Sequence, residues 1–298
     1  MKDIDFAVIG GSYAGLAVAL QLARARRNVL VVDAGQRRNR FVDAAGETSH
    51  GFLTQDGRAP AEIAADAREQ LMNYPSVEWM HGTADDARVA SGARLEFRVG
   101  RDLVSAGRLI LATGVRDELP PVPGLAERWG RSIFHCPYCH GYEMNAGRIG
   151  IIAASPLALH HALMLPDWGS PTLFLNGAYT PTEEDLAAIA RRGTQIEAAP
   201  IDRIDGVADV VLQDGRTLRM NGLFTQPRTL LSSPIAEQLG CALEDGPMGQ
   251  FIKVDELKAT SVPNVFACGD AARAAGNVTL AVADGAMAAF AAHRASMF

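Results

Sequence analysis

The chain has 298 residues, 48% of them hydrophobic, with a formal net charge of -6 and a pI near 5.7. That length holds one large or two ordinary domains, with apolar residues enough for real cores. The acidic balance and the lack of any Lys/Arg-rich run argue against nucleic acid or an anionic membrane as partner. No apolar stretch reaches the length of a bilayer span, and "MKDIDFAVIGG" has no leader pattern, so a cytoplasmic location is the expectation.

Residues 5 to 33, "DFAVIGGSYAGLAVALQLARARRNVLVVD", predict a strand, a glycine-rich turn, a helix and a second strand, a βαβ unit. Gly10-Gly11-Ser12-Tyr13-Ala14-Gly15 has the spacing G-x-G-x-x-G, with Ser12 in place of the second glycine. Gly10 permits the tight turn, Gly15 lets helix and strand pack closely, and the helix N-terminus offers free N–H groups to a pyrophosphate. Ser12 is small enough to keep that approach open. Asp33, at the end of the second strand, is placed to accept a hydrogen bond from a ribose 2'-hydroxyl. Next come a helix from about Ala59 to Met72, a strand at "VEWMHG" and a hairpin-like stretch ending in "LILATG".

Residues 136 to 143, "CPYCHGYE", carry a C-x-x-C pair. At the start of a helix this spacing sets both sulfurs on one face, close enough for a disulfide. Pro137 suits the first helical position, and Cys136 at the N-cap gains thiolate character. Other chemistries fit less well. Zinc takes four ligands, and neither a second C-x-x-C nor an H-x-H pair exists; His160 and His161 are adjacent on another element. "CPYCH" also matches covalent haem attachment, which needs an exported chain and a haem pocket. A structural pair of buried thiols remains the alternative to the favoured redox pair. Cys241 and Cys268, in apolar surroundings, are expected to be structural. No metal site is expected.

Residues 148 to 177 predict a second strand, turn, helix and strand, but the turn reads Ala153-Ala154-Ser155-Pro156-Leu157-Ala158, without glycine. Cβ atoms occupy the positions where backbone should approach a pyrophosphate, although Ser155 and Pro156 can still cap and start the helix. The following strand ends in Asn176-Gly177-Ala178-Tyr179, lacking the arginines that pair with a 2'-phosphate. This βαβ unit is expected to be kept as architecture and lost as a nicotinamide site. "VVLQDGRTLRM" predicts a hairpin turning at Asp214-Gly215. The tail gives a strand at "NVFACGD", best buried in the first sheet, and a long small-residue helix.

The fingerprint, "LILATG" and "NVFACGD", in that order, resemble the thioredoxin reductase family over nearly the whole chain. The resemblance implies an α/β fold of two Rossmann-like (FAD/NAD(P)-type) domains. A discontinuous FAD domain would span 1–117 and 245–298, and a central domain carrying the C-x-x-C would span 118–244. It further implies an FAD site built from Gly10, Ser12, Tyr13, Ala14, Gly15, Asp33, Arg40, His50, Ala84, Ala112, Thr113, Gly114, Gly269, Asp270, Asn277 and Val278. Asp270 would bind the ribityl and phosphate region, and the helix start at Asn277 and Val278 would face the pyrimidine end of the ring. Cys136 would exchange with substrate and Cys139 would pass electrons to the flavin. The family's acidic proton carrier after the second cysteine is replaced by His140, which near its ordinary pKa can act as base and acid.

"CPYCHGYE", "RNRF" with "SHGFLTQDG", and the missing nicotinamide fingerprint resemble one branch more closely. These are the FAD-dependent dithiol oxidases that close disulfides in natural products such as gliotoxin, holomycin and romidepsin. That likeness implies a small-molecule dithiol as substrate, O2 as acceptor giving H2O2, and a homodimer. The alternative is a thioredoxin reductase-like enzyme fed by NAD(P)H or another donor.

Overall fold

The computed structural model describes residues 2–297. The chain opens as expected from its periodicity, with β1 (Lys2–Ile9), α1 (Tyr13–Arg24) and β2 (Val29–Asp33). A short helix α2 (Arg40–Ala45) and α3 (Pro60–Met72) lead to β3 (Val77–His81), β4 (Ala84–Val89), β5 (Leu95–Val99) and β6 (Asp102–Leu111). β1, β2, β3 and β6 are parallel, while β5 and β4 add antiparallel in the order β3-β2-β1-β6-β5-β4. Alternate residues of β1 enter two separate cores: Phe6 and Val8 on one face, Ala7 and Ile9 on the other. Burial on both faces explains why these strands read as continuous apolar runs.

After β7 (Val115–Glu118), a second set of elements follows: β8 (Ile133–Phe134), α4 (Pro137–His140), β9 (Arg148–Ile152), α5 (Ala158–Met164), β10 (Ser170–Phe174), α6 (Glu183–Arg192) and β11 (Gln195–Glu197). An antiparallel trio, β12 (Ile201–Asp205), β13 (Asp209–Leu212) and β14 (Thr217–Arg219), turns at Asp214-Gly215, with Gly215 at φ 90°. β15 (Gly222–Thr225) then completes an all-parallel sheet in the order β11-β10-β9-β15-β8. Its strand order reverses between β9 and β15, the place where sheets of this class bind ligands.

The chain returns through β16 (Arg228–Leu231), α7 (Ile235–Gln238), β17 (Leu243–Asp245) and β18 (Gln250–Ile252) to β19 (Val265–Ala267) and α8 (Val278–Arg294). β19 lies parallel beside β6, Val265 opposite Leu109, so the apolar tail strand is buried in the first sheet. α8 packs closely on α1: a Cβ on Gly285 would lie 2.2 Å from the Ala14 carbonyl oxygen.

Two units result. The first holds the residues up to Arg40, Ala61–Arg116 and those from Thr229 onward; the second holds Phe41–Pro60 and Asp117–Arg228. Each carries a Rossmann-like sheet, and the first is discontinuous in sequence. The boundaries differ from 117/118 and 244/245 in two respects. Ile235, Ala236, Leu239 and Cys241 share a core with Ile9, Leu30 and Leu109, which places them in the first unit. Residues 41–60 cluster with the second unit, a long-range grouping that no local pattern encodes. Among the described residues no helix is long and apolar enough to cross a membrane.

Candidate functional site

In the first unit, three segments converge at the C-terminal ends of β1, β6 and β19. Gly10 N–H donates to Val32 at 2.8 Å, Ala112 N–H to Ile9 at 2.8 Å, and Cys268 N–H to Leu111 at 3.0 Å. Gly10 takes φ 109°, and a Cβ there would stand 2.2 Å from the Ala112 oxygen. A Cβ on Gly15 would meet the Gly10 oxygen at 1.8 Å, so the turn closes only with glycine at both positions. Gly11 has its own reason: its Cβ would strike the Trp79 ring at 2.5 Å.

Ser12 is the extended N-cap of α1, and its hydroxyl makes no bond to the helix, leaving the first N–H groups directed outward. Tyr13 and Ala14 open the helix and are buried. Asp33 Oδ1 accepts from Gly11 N–H at 3.3 Å and Gly35 N–H at 3.1 Å, which fixes its carboxylate beside the turn. Ala84 begins β4 opposite Val99. Thr113 and Gly114 follow β6, and Gly269, at φ 68°, brings its backbone against the Ala14 methyl. Asn277 caps α8, its Oδ1 accepting from Leu280 N–H at 2.9 Å, with Val278 as the first helical residue. Two helix N-termini and an acidic residue at the end of β2 give this turn the chemistry to hold a dinucleotide.

Asp270 pairs with Arg38 Nη1 at 3.0 Å, and Asn39 Nδ2 donates to the Tyr13 hydroxyl at 3.1 Å. Arg40, expected among the cofactor-binding residues, is exposed and donates to the Arg37 carbonyl at 2.8 Å. Arg38 and Asn39 were missed by the sequence reading. Their signal is the polar run "RRNR" just after the Asp33 strand, where any of three arginines could have turned inward.

In the second unit Cys136 and Cys139 form a disulfide, with Cα atoms 5.3 Å apart. Cys136 is the N-cap and Pro137 the first residue of α4, as the spacing implied. The helix is a single turn of four residues, so its dipole is too short to carry the thiolate argument made from sequence. His140 lies flat on Phe134, ring centroids 4.0 Å apart, and meets His50 edge-on at 6.5 Å. Burial first, and the facing His50 second, push its pKa down to about 4. It is therefore neutral at physiological pH and not poised near 6.5 as expected, a difference set by tertiary packing.

The structure places His50 beside this pair of rings. Its Nε2 is 3.4 Å from Glu143 Oε1 and 3.0 Å from Thr48 Oγ1, and its Nδ1 is 3.7 Å from Asp56 Oδ1. Cys241 and Cys268 are buried free thiols. Burial and Asp284 push Cys268 up to about 12, which makes it inert.

The turn after β9 carries no glycine, and its Ala154 and Pro156 are exposed. Ala153 is buried, and α5 begins only at Ala158. Ser155 and Pro156 neither cap nor start it: Ser155 Oγ accepts from Leu157 N–H at 3.2 Å within a tight turn that precedes the helix. Asn176 Oδ1 is occupied by Ile201 N–H at 2.9 Å.

A family model described as pyridine nucleotide-disulphide oxidoreductase matches residues 4–288. The chain is 34% identical to thioredoxin reductase tcpT of Claviceps purpurea, covering 96% of this chain and 92% of that protein. Among solved structures, the oxidoreductase from Agrobacterium tumefaciens superposes with a TM-score of 0.95 at 55% identity, covering 100% of this chain and 99% of that one. HlmI superposes with a TM-score of 0.90 at 34% identity, covering 99% and 93%.

Proposed function

Because this chain belongs to the pyridine nucleotide-disulphide oxidoreductase family and is a flavin-dependent thiol/disulfide oxidoreductase, we propose that it takes electrons from a dithiol and delivers them through FAD to oxygen. One observation carries the direction of flow. The second unit retains a βαβ unit at its switch point, yet the turn there has no glycine and a buried Ala153, while the Cys136–Cys139 disulfide stands beside His140. A fold with one dinucleotide cradle and one disulfide has the disulfide as its remaining port for electrons.

A substrate thiolate attacks Cys136 Sγ, the Sγ–Sγ bond breaks, and Cys139 leaves as thiolate. The second substrate thiolate attacks its partner sulfur in the mixed disulfide, releasing Cys136 and closing the product disulfide. His140, neutral and adjacent in sequence to Cys139, accepts a thiol proton; its burial makes keeping that proton costly, so the proton moves on. FAD, when bound, would supply a two-electron acceptor for the reduced cysteine pair, with oxygen as the final acceptor giving hydrogen peroxide. Gly10, Ser12, Gly15, Asp33, Asp270 and Asn277 would hold it. The net reaction joins a dithiol and O2 to give a disulfide and H2O2. A small-molecule dithiol as substrate and a homodimeric state follow from the likeness to the natural-product oxidases.

The second reading, reduction of a disulfide at the expense of NAD(P)H, is favoured by the name thioredoxin reductase carried by the Claviceps relative. Anaerobic mixing of the loaded enzyme with dithiol and, separately, with NADPH decides between the two.

A further inference from the structure

The loop that carries His50 belongs to the second unit. Residues 49 and 58 form an antiparallel bridge, and Gly51 N–H donates to Asp56 Oδ1 at 2.7 Å, holding that carboxylate near the ring. Glu143 reaches the other ring nitrogen from the turn just after "CPYCH". The titratable groups facing His50 are thus Asp56 from its own loop, Glu143 from the turn at 142–144, and His140 from α4. His140 also stacks on the Phe134 ring.

We propose that His50 is a positioning residue for the thiol–disulfide step, acting through His140: its ring meets His140 edge-on and, held between Asp56 and Glu143, forms with them the route by which a thiol proton accepted at His140 leaves. The inference rests on the proposed dithiol chemistry, with oxidised flavin as the electron acceptor, for its use but not for its geometry. Of the two thiol protons released per dithiol, one goes to the departing Cys136 sulfur and the other visits His140 and passes outward, and no electron crosses either histidine. The geometry suits this division of work. His140 is sheltered between Phe134 and the cysteine helix, whereas His50 has a side chain 22% exposed and two carboxylates able to pair with it once charged.

The test uses the FAD-loaded full chain with histidine ring carbons labelled for NMR, His140 being assigned by its loss in His140→Gln. In the wild type the His140 ring titrates with a midpoint of about 4. In His50→Gln that midpoint rises by roughly one pH unit, the scale expected when a like charge at this range is removed. His50→Lys, which places a permanent cation there, keeps it at or below the wild-type value. Anaerobic flavin bleaching by dithiothreitol at neutral pH slows roughly tenfold in His50→Gln. An unchanged His140 midpoint in His50→Gln, or a midpoint that moves while bleaching keeps its rate, overturns the proposal. Failure of dithiol to bleach the wild type would instead remove the oxidase reading, and the titration still decides the coupling of the two rings.

Discussion

The imidazole of His140 lies on the ring of Phe134, centroids 4.0 Å apart and planes 20° from parallel. The stacking takes part of the ring of the histidine that follows Cys139 out of water, and this makes the charged form of that histidine unfavourable in the folded state. A folded-state pKa depressed from 6.5 to about 4 has a defined sign in stability. Between those values the unfolded chain binds the proton and the folded chain does not, so stability rises with pH across this window and the contribution is flat above it. His140→Gln should therefore flatten the fall in thermal midpoint as pH drops from 7 to 4.5, by on the order of 2–3 kcal/mol at the acid end. His161, buried and likewise pushed down to about 4, should behave the same way on substitution by Gln. Parallel pH profiles for wild type and variants in a thermal unfolding series would refute the assignment.

Gly15→Ala should yield folded protein without flavin. A Cβ 1.8 Å from the Gly10 carbonyl oxygen displaces the phosphate turn, a clash of about 1–3 kcal/mol in the apo fold that is felt most where the ligand backbone must approach. The ratio of visible flavin absorbance to protein absorbance after purification reads the effect, with circular dichroism as the control for folding. A variant that retains stoichiometric flavin would show that this turn is not the cofactor cradle.

Arg38→Met should weaken FAD binding about tenfold, the scale of one charge-assisted hydrogen bond. The reason is that Arg38 holds the Asp270 carboxylate at 3.0 Å in the segment where β19 ends. Arg40→Met, whose side chain donates to the Arg37 carbonyl on the surface, should leave affinity closer to wild type. Fluorescence titration of apoprotein with FAD separates the two, and equal losses would show that the Arg38–Asp270 pair has no special part in binding.

Cys136→Ser and Cys139→Ser should each abolish disulfide formation in the substrate while leaving bound flavin unchanged, because the cysteines lie in the second unit and the glycine cradle in the first. Mass spectrometry of a dithiol after incubation gives the first readout and visible absorbance the second. Turnover in either serine variant would remove the disulfide from the mechanism.

Features legible from sequence are those that local chemistry encodes. The turn at Gly10 and Gly15, the Asp33 strand end, the N-cap at Asn277 and the Cys136–Pro137 helix start each depend on residues within one turn or strand. Even the missing nicotinamide fingerprint is a local statement, since Ala153 to Ala158 simply carry no glycine. What was not legible depends on packing between distant residues. His140 acquires its low pKa from Phe134 and from His50, which is 90 positions earlier in the chain. Likewise, nothing in "RRNR" tells which arginine turns toward Asp270, because that choice is made by a residue 232 positions away. The start of α5 slipped past Ser155 and Pro156 because a tight turn competes with capping for the same hydroxyl.

The direction of electron flow is tested most directly by anaerobic stopped-flow absorbance of the FAD-loaded enzyme, mixed in parallel with a small dithiol and with NADPH. Rapid bleaching of the visible flavin band by dithiol, with none by NADPH, and full return of the band with stoichiometric peroxide on admitting oxygen, is the predicted result. Rapid bleaching by NADPH would contradict it, and would mean that the turn at Ala153–Ala158 binds a nicotinamide nucleotide without glycine.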